Sequence, residues 1–343
     1  MRATPCLPPR ITKRAISTYT ILGFAGYAAA NVLAVVLAQT WDLSLGERLV
    51  DVLAPPIAFV VVVTVATAIT GTERIVFYQT ACAGVLSVAA AGWLVGARVS
   101  RLVDIACLGI GVFLVFGRIG CHAVACCHGR LGRGVTYGPA HVAIGFWARW
   151  SGRSLWPVQL VEACVSALLV VLALVFSATA GTATLVYVVG YAVFRFLLEL
   201  IRGDGHRPYA LGLSEAQWFA IATVIACAAW SPNPTTISIA GGLIAVALGL
   251  VLTRKRRALL LPPHIYEVGR VLASATDGKR QETSLGVAIS RHDLPDGRID
   301  WVLSAEPALL EASVRSLAHQ LWPSWALVAG RSPGVFHVVT PRS

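Results

Sequence analysis

Eight apolar runs dominate this chain, most of them near the roughly 20 residues that cross a bilayer. They fall at 16–38, 49–70, 75–97, 102–116, 158–176, 184–198, 216–230 and 236–252. Backbone in hydrocarbon must satisfy its N–H and C=O groups internally, so runs of this kind fold as helices. Only 13% of the 343 residues are charged and the mean hydropathy is +0.71, whereas soluble domains carry about 25% charged residues. The expected fold is an all-α polytopic membrane helical bundle of seven or eight transmembrane helices. Arg10, Lys13 and Arg14 precede the first run as in a secretory signal, but its length favours a retained helix. The runs at 102–116 and 184–198 are short, as expected of helices whose ends open into a polar cavity.

The character of the chain changes after Arg254-Lys255-Arg256-Arg257. Pro262-Pro263 reads as a linker. Strand-like alternation follows at 284–290, 299–303, 326–329 and 335–340, and an amphipathic helix at 306–321 carries Leu310, Val314, Leu317 and Leu321 on one stripe. The expected division is therefore a membrane part, 1–257, and a small α+β extramembrane domain, 258–343. His292, His319 and His337 are isolated in the tail and read as structural.

Net charge is +11. Residues 258–343 hold as many acidic as basic groups, so the excess belongs to the membrane part. There it speaks for topology and contact with anionic lipid, and against nucleic acid. With eight spans and both termini inside, only Arg48, Arg98 and Arg101 of the Lys/Arg flanking the spans fall on outer segments. The charge rule thus places the charged segments described next on the cytoplasmic side.

Five charges sit where so apolar a chain should not carry them: Arg118, Glu162, Arg195, Glu199 and Arg202. An ionised group in a span costs roughly 2.5–3.5 kcal/mol even on the lenient insertion scale, so it usually faces a polar cavity and has a task. Arg118 lies in Gly117-Arg118-Ile119-Gly120, where glycines let the backbone leave helical geometry. Arg118 and Arg130 are suited to gripping a phosphate, since a guanidinium offers fixed, paired donors. Arg195, Glu199 and Arg202 share a helix face by spacing. That ladder holds a guanidinium ready for an anion or stitches two helices together. Gln159 and Glu162 share a face at the start of another span.

Cys121, His122, Cys126, Cys127 and His128 invite three readings: a soft-metal site, a reactive thiol pair, or small residues packing a tight re-entrant turn. Adjacent Cys126 and Cys127 strain a four-ligand ion site, so packing is the expectation, with no metal and no cofactor. Cys82, Cys107, Cys164 and Cys227 fall within apolar spans and read as small hydrophobes.

These segments together resemble the prolipoprotein diacylglyceryl transferase family over about residues 20–230. The family's glycine-arginine-isoleucine-glycine-asparagine signature is matched by Gly117-Arg118-Ile119-Gly120, with Cys121 in the asparagine's place and Gly129 at the later glycine. Leu155–Glu162 is similar to a second family segment through Pro157, Gln159, Leu160 and Glu162. Arg195-Phe196, Glu199 and Arg202 resemble its arginine helix, and Leu211-Gly212-Leu213-Ser214 with Gln217 the start of its last helix. The family's histidine-glycine-glycine in the third span has no counterpart in Phe77–Gly84.

The resemblance implies transfer of a diacylglyceryl group from phosphatidylglycerol to a prolipoprotein's lipobox cysteine, in a multi-pass protein of the bacterial inner membrane. It implies Arg118, Arg195 and Glu199 as catalytic groups, and Gly120, Cys121, Gly129, Gln159, Glu162 and Arg202 as substrate-binding positions. Gly120 and Gly129 would give the lipid head room. His122, His128 and Tyr78 are candidate substitutes for the missing base. Family members carry this site at the outer leaflet, opposite to the charge count. Two other readings stay open: a non-catalytic protein binding anionic phospholipid, and a membrane thiol or metal protein centred on Cys121–His128.

Overall fold

The computed structural model describes residues 4–5, 17–71 and 77–341. Arg10, Lys13 and Arg14, which precede the first apolar run, lie outside them.

The spans form an antiparallel series: α1 (Thr18–Thr40), α2 (Leu45–Thr70), α3 (Phe77–Leu94), α4 (Val99–Ala123), α6 (Val158–Val175), α7 (Thr182–Leu198), α8 (Glu215–Trp230) and α9 (Pro234–Leu252). Among the described residues six of these are long and apolar enough to cross a membrane, and α7 and α8 are shorter apolar helices. Starts are set by side chains that satisfy orphan N–H groups. Ser44 and Glu47 form a capping box on α2, and Ser214 with Gln217 forms one on α8. Phe24, Leu53, Ile69, Trp93, Val175 and Leu252 point outward, as a lipid-facing surface requires.

The inner faces carry small residues, because helices in lipid associate by close packing. At Gly111 of α4 a Cβ would lie 2.6 Å from Val170 of α6 and 2.7 Å from Tyr187 of α7. Asp104, fully buried on α4, caps α7 from outside: it accepts from the Gly181 and Thr184 backbone N–H groups at 2.7 and 2.8 Å and from the Thr184 hydroxyl at 2.7 Å.

Alternation of the helices brings the segments 124–157 and 199–214 and the tail to one face. Short strands tie them there: β1 (Thr4–Pro5) pairs in parallel with β2 (Leu131–Thr136), and β2 pairs with β3 (Ser154–Leu155). A one-turn helix α5 (Pro139–Val142) follows β2, and β4 (Tyr209–Ala210) and β5 (Leu213–Ser214) make a hairpin before α8.

Two expectations need correction. The helix does not break at Gly117–Gly120; α4 runs on to Ala123, and the turn comes at 124–128, where Ala125 and Cys127 take left-handed φ of 58° and 55°. Pro262-Pro263 is no linker, because it opens a helix: α10 (Arg254–Arg257) leads to α11 (Pro262–Ser274), whose first turn needs no proline N–H.

In the tail β6 (Arg280–Glu282), β7 (Val287–Asp293), β8 (Arg298–Ala305), β9 (Ala326–Ala329) and β10 (Phe336–Pro341) form an antiparallel sheet of order β6-β7-β8-β10-β9. Helices α11 and α12 (Glu311–Leu321) pack against it through Ile265, Val268, Leu272, Val314, Leu317 and Leu321. Leu310 falls off the expected stripe and stands exposed before α12.

That core is continuous with Val135, Tyr137, Phe146, Trp150 and Leu155 of the membrane part. Arg149, Trp150 and Arg153 donate to the carbonyls of His319, Gln320 and Leu321 at 2.6–3.2 Å. Cutting the chain after Arg257 therefore uncovers a buried aromatic face. The truncated protein is expected to insert but to be cleaved within 131–156 by a protease that spares the full chain. Equal resistance of the two would show that the docking contributes little.

Candidate active site

Glu162 lies one turn into α6 and is only 1% exposed. Three guanidinium groups from two other helices and one loop converge on it. Its Oε2 is 3.1 Å from Arg118 Nε and 3.9 Å from Arg202 Nη1, and its Oε1 is 3.5 Å from Arg195 Nε. The Tyr191 hydroxyl donates to Oε1 at 2.7 Å. Arg118, Arg195 and Arg202, expected from sequence to serve one site, thus surround one carboxylate.

A second layer extends the network outward. Arg195 pairs with Glu199 one turn later. Arg202 lies 3.6 Å from Glu199 and donates to Asp204 at 2.9 Å, and Arg207 donates to Glu199 at 2.7 Å and to Asp204 at 2.9 Å. Burial would raise the Asp204 carboxyl, but Arg202 and Arg207 outweigh it and hold it below the usual carboxylate range. Asp204 and Arg207 were missed from sequence; their signal was the density of charge directly after a span. Tyr191 was missed as well, although it lies four residues before Arg195 on the same helix face.

The charges do not balance. Arg118, Arg195, Arg202 and Arg207 face Glu162, Glu199 and Asp204, which leaves one positive charge in excess within this network. Arg195, 1% exposed, has Nη2 without a hydrogen-bond partner among the described residues. Gathering so many buried ions contributes little net stability, since desolvation offsets most of the attraction. A bound monoanion would supply the missing charge and acceptor.

Gln159 donates to the Cys126 carbonyl at 2.8 Å and to the Tyr137 hydroxyl at 3.2 Å, so its amide pins the turn after α4. Its Oε1 keeps no partner among the described residues. The thiols of that turn converge: the sulfurs of Cys121, Cys126 and Cys127 all lie within 4.8 Å of one another.

The glycines do not give head room. A Cβ on Gly120 would stand 3.0 Å from the Tyr19 ring and 3.2 Å from its Cα, so this glycine lets α1 approach α4. A Cβ on Gly129 would stand 2.7 Å from the Trp156 Cβ and 2.9 Å from Val158. Gly129 bridges to Arg202, and Arg130 N–H donates to the Ile201 carbonyl at 2.9 Å, which clamps the loop after α4 to the loop after α7. Gly129→Ala is expected to cost about 1–3 kcal/mol by overpacking. A thermal midpoint equal to the wild type's would contradict this.

Of the substitute bases, His128 has both ring nitrogens engaged, Nδ1 with the Gly129 carbonyl at 3.0 Å and Nε2 with the Tyr266 hydroxyl at 3.1 Å. His122 meets the Tyr137 hydroxyl through Nδ1 at 3.3 Å. Tyr78 packs its ring on Phe219, with centroids 4.5 Å apart.

The family model for prolipoprotein diacylglyceryl transferase matches residues 10–231. No curated protein matches the chain.

Proposed function

The chain belongs to the prolipoprotein diacylglyceryl transferase family, matched over more than half its length, and on that premise we propose that it moves a diacylglyceryl group from phosphatidylglycerol to a lipobox cysteine. Arg118 and Arg195 hold the lipid phosphate, which supplies the missing negative charge. The acceptor thiolate attacks the glyceryl carbon, the C–O bond to phosphate breaks, and glycerol phosphate leaves. Charge grows on the phosphate as it leaves, and guanidinium groups already oriented by Glu162 and Glu199 stabilise it without reorganising. Arg202, held by Asp204, completes the positive wall. Gln159 holds the turn after α4 that follows Cys121, and Gly120 and Gly129 let the neighbouring segments pack closely.

The observation that carries this reading is the convergence of Arg118, Arg195 and Arg202 on Glu162. Residues 1–257 form the catalytic membrane part in this account, and residues 258–343 an extramembrane domain that braces its loops. Localisation in a bacterial inner membrane follows from the same reading. Expression in bacteria depleted of their own transferase tests it: growth and lipoprotein modification are restored by the wild type and not by Arg118→Ala. The missing family histidine and the engaged nitrogens of His128 favour a rival, binding of anionic phospholipid without transfer. Phosphatidylglycerol binding without rescue would decide for that rival.

A further inference from the structure

The turn at 124–128 gathers chemistry that the arginine network leaves unused. Cys121 lies buried in the last turn of α4, and Cys126 and Cys127 follow half-buried. Ala125 and Cys127 adopt left-handed φ of 58° and 55°, which is unfavourable for residues with a Cβ. Gln159 and the Cys121 carbonyl, which accepts from Cys126 N–H at 3.1 Å, hold the turn in this shape. The result is three sulfurs mutually within 4.8 Å.

Sulfurs bound to one zinc ion at about 2.3 Å in a tetrahedron stand about 3.8 Å apart, so these three need to close by about 1 Å at most. Vicinal cysteines strain a site with four protein ligands. They are less constrained where three suffice and the fourth position stays open, the arrangement of catalytic zinc. Thiolate ligands select soft ions of this class. Arg118 precedes Cys121 by three residues on α4, so the phosphate grip and the thiol cluster share one helix face.

We propose that Cys121, Cys126 and Cys127 hold one zinc-class divalent ion whose open fourth position takes the sulfur of the acceptor cysteine. The role of that fourth position rests on the transferase reading; the ion site itself does not. A metal-coordinated thiol is deprotonated outright, so the ion would perform the task of the family histidine that has no counterpart in Phe77–Gly84. The acceptor's S–H proton passes to water at the half-exposed side of Cys126 and Cys127. The sulfur lone pair then forms the C–S bond, the C–O bond breaks, and glycerol phosphate departs with the bonding pair. The ion's oxidation state does not change.

The test uses the full-length protein, purified under reducing conditions in detergent without a metal-affinity tag. Elemental analysis is expected to find about one zinc per chain, lost in Cys121→Ser, Cys126→Ser and Cys127→Ser alike. Cobalt substituted for zinc is expected to show thiolate charge-transfer absorption in the near ultraviolet. That spectrum changes when a lipobox peptide is added and stays unchanged with the same peptide carrying serine for cysteine. Metal far below stoichiometric after reconstitution overturns the site, as does metal retained by the variant lacking all three thiols. A cobalt spectrum indifferent to the cysteine peptide overturns the role of the fourth position. If the wild type binds cobalt and the peptide thiol but transfers nothing, the transferase reading fails and the ion site stands. If it transfers without metal, the role of the fourth position fails while the transferase reading stands.

Discussion

Arg195→Lys is expected to lower diacylglyceryl transfer about a hundredfold to a thousandfold, the cost of removing a preorganised donor from a developing anion. Lysine keeps the positive charge and can still pair with Glu199. It loses the planar fork whose Nε faces Glu162, whose Nη1 faces Glu199 and whose Nη2 is free to meet a phosphate in the proposed reaction. Arg118→Lys is expected to behave alike, because Arg118 meets Glu162 from the opposite helix at 3.1 Å. Rates measured with phosphatidylglycerol vesicles and a lipobox peptide decide the matter, with thermal midpoints showing that both variants are folded. Losses below about tenfold in both folded variants would remove these arginines from the chemistry.

Glu162→Ala should be the most damaging single change to the fold. It leaves Arg118, Arg195 and Arg202 facing one another with their shared counter-charge gone. Breaking a buried ion pair from one side costs about 3–5 kcal/mol. The expected result is a sharply lowered thermal midpoint in neutral detergent. Phosphatidylglycerol should restore more of it than phosphatidylcholine, since an anionic head group partly replaces the carboxylate. A midpoint unchanged from wild type would mean that the three arginines do not depend on Glu162.

Much of the architecture was legible in the sequence because bilayer length is a direct physical constraint. An apolar run at 49–70 or 236–252 has few other ways to satisfy its backbone. The charged members of the candidate site were legible for the same reason: Arg118, Glu162 and Arg195 are costly in such runs unless they meet. What sequence spacing concealed was the pairing. Nothing in the helix carrying Glu162 says that three arginines will choose it, or that Asp204 and Arg207 will fold back as an outer layer.

Close packing was hidden too. Gly129 read as space for a ligand, yet the space is filled by Trp156. Helix α11 was concealed by its prolines, which read as a linker although the first turn of a helix tolerates them. Its consequence, Tyr266 stacked on Trp147 with ring centroids 4.2 Å apart and bonded to His128, joins residues more than a hundred positions apart. No local pattern reports a contact of that kind.

The most direct measurement is the mass of the acceptor peptide. Purified full-length protein is incubated with phosphatidylglycerol of defined acyl chains and a lipobox peptide bearing one cysteine. The peptide is expected to gain the mass of one diacylglyceryl group through a thioether on that cysteine. One glycerol phosphate is released for each peptide modified, and Arg118→Ala and Arg195→Ala yield neither product. An unmodified peptide, under conditions where the protein is folded and binds phosphatidylglycerol, would contradict the proposed transfer.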